Sequence, residues 1–377
     1  RDFVGSRGLG DVYKRQSAVH APRLGTSAHL YGANGAHDAN PSGRGIVVSE
    51  GSLSRISILT VCMNRQLHLR QSAQHLSALS QHDEHLIVDW SSAAPLLRSE
   101  LPSDPRIRLH RVEGESQWNL CRAYNFAASQ STGTILLKLD ADSWLDPALD
   151  VEQLLQQAPI WLGAGSGGTA GQWLMERDAF DAVGGFNERM LSWGFDDKDL
   201  RARLVLHFGP QVKTLPPGSL HAIHHSDSVR IGGRLDQPTK SFVRHQALAA
   251  LRASRLNNRL VAAECPWGRT SVSTQYQHVL GQSSDSVWRA DKETIPQLPL
   301  SVDRSLRQQR RRTFWNVLLD IPDVAIAQLP LKLLPPDCSG QWKVRWWHWL
   351  YWSTVRRLLL LPVLILACLK GSGRLLR

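Results

Sequence analysis

Short apolar runs alternate with helix-period stretches through the middle of the chain. Arg55-Ile-Ser-Ile-Leu-Thr-Val-Cys (55–62), His85-Leu-Ile-Val-Asp-Trp-Ser-Ser (85–92), Ile107-Arg-Leu-His-Arg-Val (107–112) and Ile135 to Leu139 are rich in aliphatic and β-branched residues, and each reads as a strand. Between them, 66–80 carries Leu67, Leu69, Leu76 and Leu79 at helical spacing, and Gln117 to Ser129 reads as a second helix. Further on, helices are predicted over 145–157, over 179–183 behind an Asp178 cap, and from Asp196 onwards. Gln172 to Arg177 is strand-like, and another strand ends within 221–225. Strands alternating with helices predict an α/β fold around a parallel, doubly wound sheet. Ligands of such sheets sit beyond the carboxyl ends of the strands.

The same pattern sets the domain limits. Residues 1–45 are rich in Gly, Ala, Ser and His without apolar periodicity and are expected to be disordered. Within them, 8–16 resembles a translated adapter remnant and is set aside as non-native. A folded domain is expected over 46–265, followed by a mainly helical, basic, Trp-rich region over 266–377. The glycine-rich patch 163–171 lacks the Lys-Ser/Thr ending of a phosphate-binding P-loop and reads as a plain loop.

Charge changes this picture in one respect. The chain of 377 residues carries a formal net charge of +11, as a nucleic-acid-binding protein might be expected to. Yet 46–270 is balanced at 23 basic and 23 acidic residues, whereas 271–377 holds 15 basic against 7 acidic. A basic tail on a neutral body argues for an anionic surface and against nucleic acid. Five widely spaced cysteines without a Cys-x-x-Cys exclude a disulfide framework and a zinc site, and no secretory signal is visible, which favours a reducing cytosol.

Candidate chemistry gathers at the fourth strand. Leu139-Asp-Ala-Asp places Asp140 and Asp142 two residues apart, able to face one side. Paired hard oxygen donors at a strand end suit a divalent cation, Mn2+ or Mg2+, that holds a diphosphate. On its own such a pair is also an ordinary solvated strand end. Asp89 closes the second strand in the same way. Asp196, Asp197 and Asp199 open a helix, where the macrodipole favours acids whatever their use. His221, His224 and His225 offer imidazole ligands after a strand.

In the tail, Arg310 to Arg312 precede Phe314-Trp-Asn-Val-Leu-Leu, and six aromatic residues between 342 and 352 precede Arg356-Arg357 and the apolar run Leu358 to Leu369. Twelve residues interrupted by Pro362 fall short of the ~20 that span a bilayer, so an interfacial or re-entrant anchor is expected.

The ordered series Thr60-Val-Cys-Met-Asn-Arg, Ile87-Val-Asp, Cys121-Arg-Ala-Tyr-Asn, Leu139-Asp-Ala-Asp, Gly184-Gly-Phe-Asn-Glu and Trp193-Gly-Phe-Asp-Asp-Lys-Asp resembles GT-A-fold glycosyltransferases of the family-2-like kind. The second half is similar to the β-galactosyltransferase and chondroitin-type polymerase segment. The resemblance covers 52–260 and implies a Rossmann-like mixed sheet flanked by helices. It implies a metal-dependent inverting transfer of a hexose or N-acetylhexosamine from a nucleotide-diphosphate sugar, with a UDP-linked donor expected, to a glycan or lipid-linked acceptor. It also implies site roles: Asp89 on the donor base, Arg122 on the diphosphate, and Asp140 with Asp142 as the Asp-x-Asp pair. Trp193 and Gly194 would form the acceptor wall, with Asp197 the catalytic base and Asp196 an acceptor-binding carboxylate whose charge raises the basicity of Asp197. Asp142 and His225 would hold the metal, with His224 the rival. The enzyme is then expected in the cytoplasm, peripherally attached to the inner face of the membrane. A non-catalytic nucleotide-sugar or glycan-binding module is the alternative.

Overall fold

The computed structural model describes residues 55–164, 169–224, 241–279, 286–318, 342 and 346–375, all within one compact unit, Ser54–Arg377. The expectation for 1–45 lies outside the described residues. Strands are β1 (Ile56–Cys62), β2 (Glu84–Trp90), β3 (Ile107–Glu113), β4 (Ile135–Lys138), β5 (Ser143–Leu145), β6 (Ile160–Leu162), β7 (Trp173–Glu176), β8 (Val212–Thr214), β9 (Leu220–Ala222), β10 (Tyr276–His278) and β11 (Ser286–Ala290). Helices are α1 (Gln66–Ser77), α2 (Leu120–Gln130), α3 (Val151–Gln157), α4 (Arg177–Ala182), α5 (Asp196–Phe208), α6 (Ser241–Glu264), α7 (Leu300–Leu318), α8 (Trp346–Leu350) and α9 (Arg356–Leu375).

Among the described residues the main sheet runs β10-β11-β3-β2-β1-β4-β7-β6-β8. β11, β3, β2, β1 and β4 are mutually parallel, while β7 lies antiparallel to β4. The sheet is therefore mixed, not purely parallel as the alternation of elements implied. β1 and β2 are buried along their whole length, because helices cover both faces, and this is why they read as continuous apolar runs. Leu59 and Val61 face the layer of α2, while Ile58 faces α1 and α3 with Leu137 and Leu139. Burial of these aliphatic faces, at ~25 cal/mol per Å2 of apolar surface, is the main force holding the layers together.

Two helix expectations need correcting. The 145–157 helix starts only at Val151, where the Asp150 side chain accepts from Gln153 N at 2.9 Å. Before it, Pro147 disfavours helical backbone at Asp146, and 143–145 is a strand. Helix α4 begins two residues earlier than predicted, at Arg177, and Asp178 lies inside it; the Arg177 N–H is satisfied by Thr134 O at 2.8 Å.

The sheet also continues past the expected boundary at 265. β11 pairs with β3, and β10 with β11, inside the region predicted to be helical. Glu188 ties this return to the body, accepting from Thr274 N at 2.7 Å, Thr274 Oγ1 at 2.6 Å and Asn125 Nδ2 at 2.8 Å. Helices α6 and α7 lie along one another, with Gln309 Nε2 donating to Asn257 Oδ1 at 3.1 Å.

Candidate active site

The chain crosses from β1 to β2 on one side of β1 and places β4 on the other, so the strand order reverses between β1 and β4. In sheets of this kind ligands bind beyond the carboxyl ends at such a point. The loop after β1 turns through Asn64 at φ 58°, a left-handed conformation that asparagine tolerates. Asn64 is held by Ser92 Oγ at 2.9 Å and by Ala93 N at 2.8 Å, which fixes Arg65 with Nη1 3.7 Å from Asp142 Oδ2.

Lys138, the last residue of β4, is fully buried, with Nζ donating to Asp140 Oδ1 at 2.8 Å and Gly171 O at 2.7 Å, and lying 4.4 Å from the centre of the Tyr124 ring. Burial alone would lower its pKa. The charges of Asp140 and Asp197 outweigh that and hold it raised, so the ammonium stays charged. Asp140 also accepts from Tyr124 Oη at 3.1 Å and Gln172 Nε2 at 2.8 Å, and its own N–H donates to Gln172 Oε1 at 2.9 Å. Burial pushes its carboxyl up, but Lys138 and these donors more than offset this and hold it below the usual range.

The acid pair stands across from this cluster. Ser192, Gly194 and Phe195 all have positive φ (64°, 94° and 75°), a strained turn that starts α5 abruptly. Helix α6 supports it: Ser254 Oγ accepts from Trp193 N at 2.9 Å, and Asn258 Nδ2 donates to Gly194 O at 2.8 Å and Leu191 O at 3.0 Å. The Trp193 indole is left 39% exposed. The three acids of the first turn then separate by environment. Asp199 is buried against Arg203 at 2.9 Å, which in turn holds the carbonyls of Val183 and Gly185, so Asp199 is structural. Asp196 is buried and accepts from Asp197 N at 2.9 Å; burial, then the charge of Asp197, pushes it up to about 7. Asp197 is half-buried, and its Oδ1 accepts no hydrogen bond among the described residues. Its carboxylate is so close to Gly171 that a Cβ there would lie 2.8 Å from Oδ2.

Burial raises the Asp197 pKa and the charge of Asp140 adds to it, while Lys138 and Arg201 pull it back. Burial is the leading cause at Asp197, where the charge of Asp196 was expected to be.

Asp142 is 15% exposed at its side chain and accepts from Ser143 Oγ at 3.2 Å. The antiparallel β5–β9 pair runs towards it, with Ile223 N donating to Asp142 O at 2.8 Å. This brings exposed His224 alongside the aspartate pair; His225 lies outside the described residues. Among the described residues no three His, Cys, Asp or Glu side chains form a ready metal cluster. A carboxylate such as Asp142 is the donor chemistry that suits a hard divalent cation, whereas the oxygens of Asp140 already accept three hydrogen bonds.

Two expected donor residues sit differently. Asp89 is fully buried and accepts from Ser92 N and Leu96 N, both at 3.1 Å, and from Arg111, so it shapes the loop after β2. Arg122 turns to Glu115 and to the Trp90 ring, 5.8 Å away. Two positions further along α2, Tyr124 faces Asp140. Residues i and i+2 of a helix point to different sides, so Arg122 is not gathered with the aspartates. Arg65 is the guanidinium that the fold places beside Asp142.

Residues 57–159 match the model of glycosyl transferase family 2, and 165–226 match the model described as the N-terminal domain of galactosyltransferase. These two stretches of the chain are thus similar to glycosyltransferase sequences. No curated protein sequence matches the chain. Solved structures that resemble it include S. aureus TarS, at 13% identity and TM-score 0.38 over 56% of this chain and 46% of that one. Glucosyl-3-phosphoglycerate synthase from Mycobacterium tuberculosis, in complex with Mn2+, uridine diphosphate and phosphoglyceric acid, matches at 13% identity and TM-score 0.37, over 63% of this chain and 86% of that one. The catalytic domain of Drosophila β1,4-galactosyltransferase 7, in complex with xylobiose, matches at 14% and 0.37, over 63% and 93%. The chain thus spans less than half the length of TarS.

Sequence reasoning passed over several residues of this site. Lys138 was visible as the lone charge inside Ile-Leu-Leu-Lys-Leu, an anomaly in a strand otherwise fully buried. Tyr124, Gln172 and Gly171 left no such signal, because only the packing of β7 and α2 on β4 brings them to Asp140 and Asp197.

Proposed function

We propose that the chain is a metal-dependent inverting glycosyltransferase that moves a hexose or N-acetylhexosamine from a uridine-diphosphate sugar to a hydroxyl of a glycan or lipid-linked acceptor. The observation that carries this is the Asp197 carboxylate: basic, lacking a donor at Oδ1, and facing the Lys138–Asp140 cluster across Gly171. Asp197 takes the proton of the acceptor hydroxyl as its oxygen bonds to the sugar's anomeric carbon. The bond from that carbon to the diphosphate oxygen breaks, and its electron pair leaves with the nucleotide. One displacement with Asp197 as the base inverts the configuration. A raised pKa suits a general base working near neutrality.

Asp142 and His225, or His224 in its place, would hold the divalent cation, which when bound neutralises the charge growing on the leaving diphosphate. Arg65, rather than Arg122, adds positive charge on that side. Trp193 would offer an apolar ring to a sugar face, and Asp196 would accept from an acceptor hydroxyl.

The test is a panel of nucleotide sugars with Mn2+, scored for transfer and hydrolysis. Asp197→Asn should cut turnover by ~10²–10⁴-fold while calorimetric binding of the donor nucleotide stays within a few-fold. Equal loss of both would make Asp197 structural and leave a binding module.

A further inference from the structure

Helices α8 and α9, joined by one π-helical turn (Tyr351–Val355), form a continuous helical segment whose apolar side faces outwards. Trp346, Leu350, Leu358, Leu361, Ile365 and Leu369 recur at helical spacing and are all more than half exposed, Leu358 reaching 77%. The inward side is apolar too, with Leu360, Val363 and Leu364 half-buried and Ala367 buried. A surface helix ordinarily hides its apolar stripe against the body, so this outward one is surplus to the fold, and large exposed apolar patches mark an interaction surface.

Charge narrows the occupant. Residues 343–377 contain seven Lys and Arg and no Asp or Glu. A second copy of the segment would set like charges against one another, whereas anionic headgroups complement them at ~1 kcal/mol for each basic residue near the surface. Depth is narrowed by length and by proline. The apolar run Leu358–Leu369 rises only ~18 Å against a hydrocarbon core of ~30 Å, and no described helix is long and apolar enough to cross a membrane. Pro362, inside α9, has no N–H to give the carbonyl of Leu358. Water can satisfy that carbonyl at the interface, but not in the bilayer core.

We propose that α8–α9 lies in the interfacial plane of an anionic lipid bilayer, with its Leu and Trp side chains among the acyl chains and its arginines at the phosphates. The inference does not depend on the transferase reading, since vesicle binding and sugar transfer are scored separately. The experiment is flotation of the full chain with vesicles of phosphatidylcholine alone and of phosphatidylcholine mixed with phosphatidylglycerol. The full chain should float with the mixed vesicles, lose binding as salt rises, and be released by alkaline carbonate. The double variant Leu358→Glu/Ile365→Glu should partition ~10-fold or more weakly. Because both positions are exposed, its circular dichroism and its turnover of a soluble acceptor should match the wild type. The proposal is overturned if the full chain stays with the soluble fraction, if the double variant floats equally well, or if carbonate fails to extract the protein, as for a spanning helix. A lipid-free dimer that the double variant abolishes would assign the stripe to a second copy instead.

Discussion

Lys138→Met keeps the length and apolar stem of the side chain and deletes its charge. In the wild type, Nζ is fully buried between Asp140 Oδ1 and Gly171 O, at 2.8 and 2.7 Å. Removing one partner of a buried ion pair costs ~3–5 kcal/mol. Asp140 keeps 39% of its side chain exposed and retains Tyr124 and Gln172, so solvent screening reduces that cost. The Gly171 carbonyl, left without its donor, restores part of it. A net loss of about 2–3 kcal/mol corresponds to a fall in melting temperature of roughly 4–10 °C for a domain of this size. Activity should suffer separately. Lys138 is a cation holding the Asp197 pKa down, so without it Asp197 stays protonated to higher pH and the acid limb of kcat/KM moves upwards. Calorimetric melting and a pH–rate profile read the two effects. A variant that melts within ~1 °C of the wild type and keeps its acid limb would refute the account of this lysine as the counter-charge of the acid cluster.

Gly171→Ala would bring a methyl group to 2.8 Å from Asp197 Oδ2; displacement of the base should lower kcat by ~10²-fold with melting nearly unchanged, and full activity would show that the carboxylate has room. Asp196 has its folded pKa raised from the unfolded value of 3.8 to about 7, so its contribution to stability is complete below pH ~4 and is lost as pH rises through ~7. Asp196→Asn should therefore gain stability relative to the wild type between pH 5 and pH 8, on the order of 2–4 kcal/mol in urea unfolding, while losing turnover. A stability difference that is the same at both pH values would contradict the burial argument. With Asp197→Asn and the vesicle experiment above, these variants separate base, counter-charge, acceptor wall and membrane face.

Three central strands, β1, β2 and β4, could be read from the chain because each is covered on both sides and must be apolar almost throughout, and β3 could be read from its alternation. The edges of the sheet could not. β10 and β11 are short and half-exposed, and β11 pairs with a strand some 175 residues earlier, so no local pattern marks them. Helix α3 was drawn too long because the apolar spacing ran through Pro147. Three consecutive-looking acids, Asp196, Asp197 and Asp199, were equivalent in sequence. Arg203 below one of them, Gly171 beside another and the depth of the third made them different. Arg122 shows the reverse case: a motif position suggested a diphosphate contact, but the helix turns that side chain to Glu115.

The sequence by itself determined an alternating α/β chain, a neutral body with a basic tail, and aspartates at strand and helix ends, because periodicity and local charge are properties of neighbouring residues. Only the tertiary structure decided which carboxylate meets a buried lysine, which is left without a donor, and which guanidinium stands beside Asp142. Those outcomes depend on burial and on contacts between residues far apart in the chain, and the electrostatic character of a carboxylate is set by what surrounds it in space.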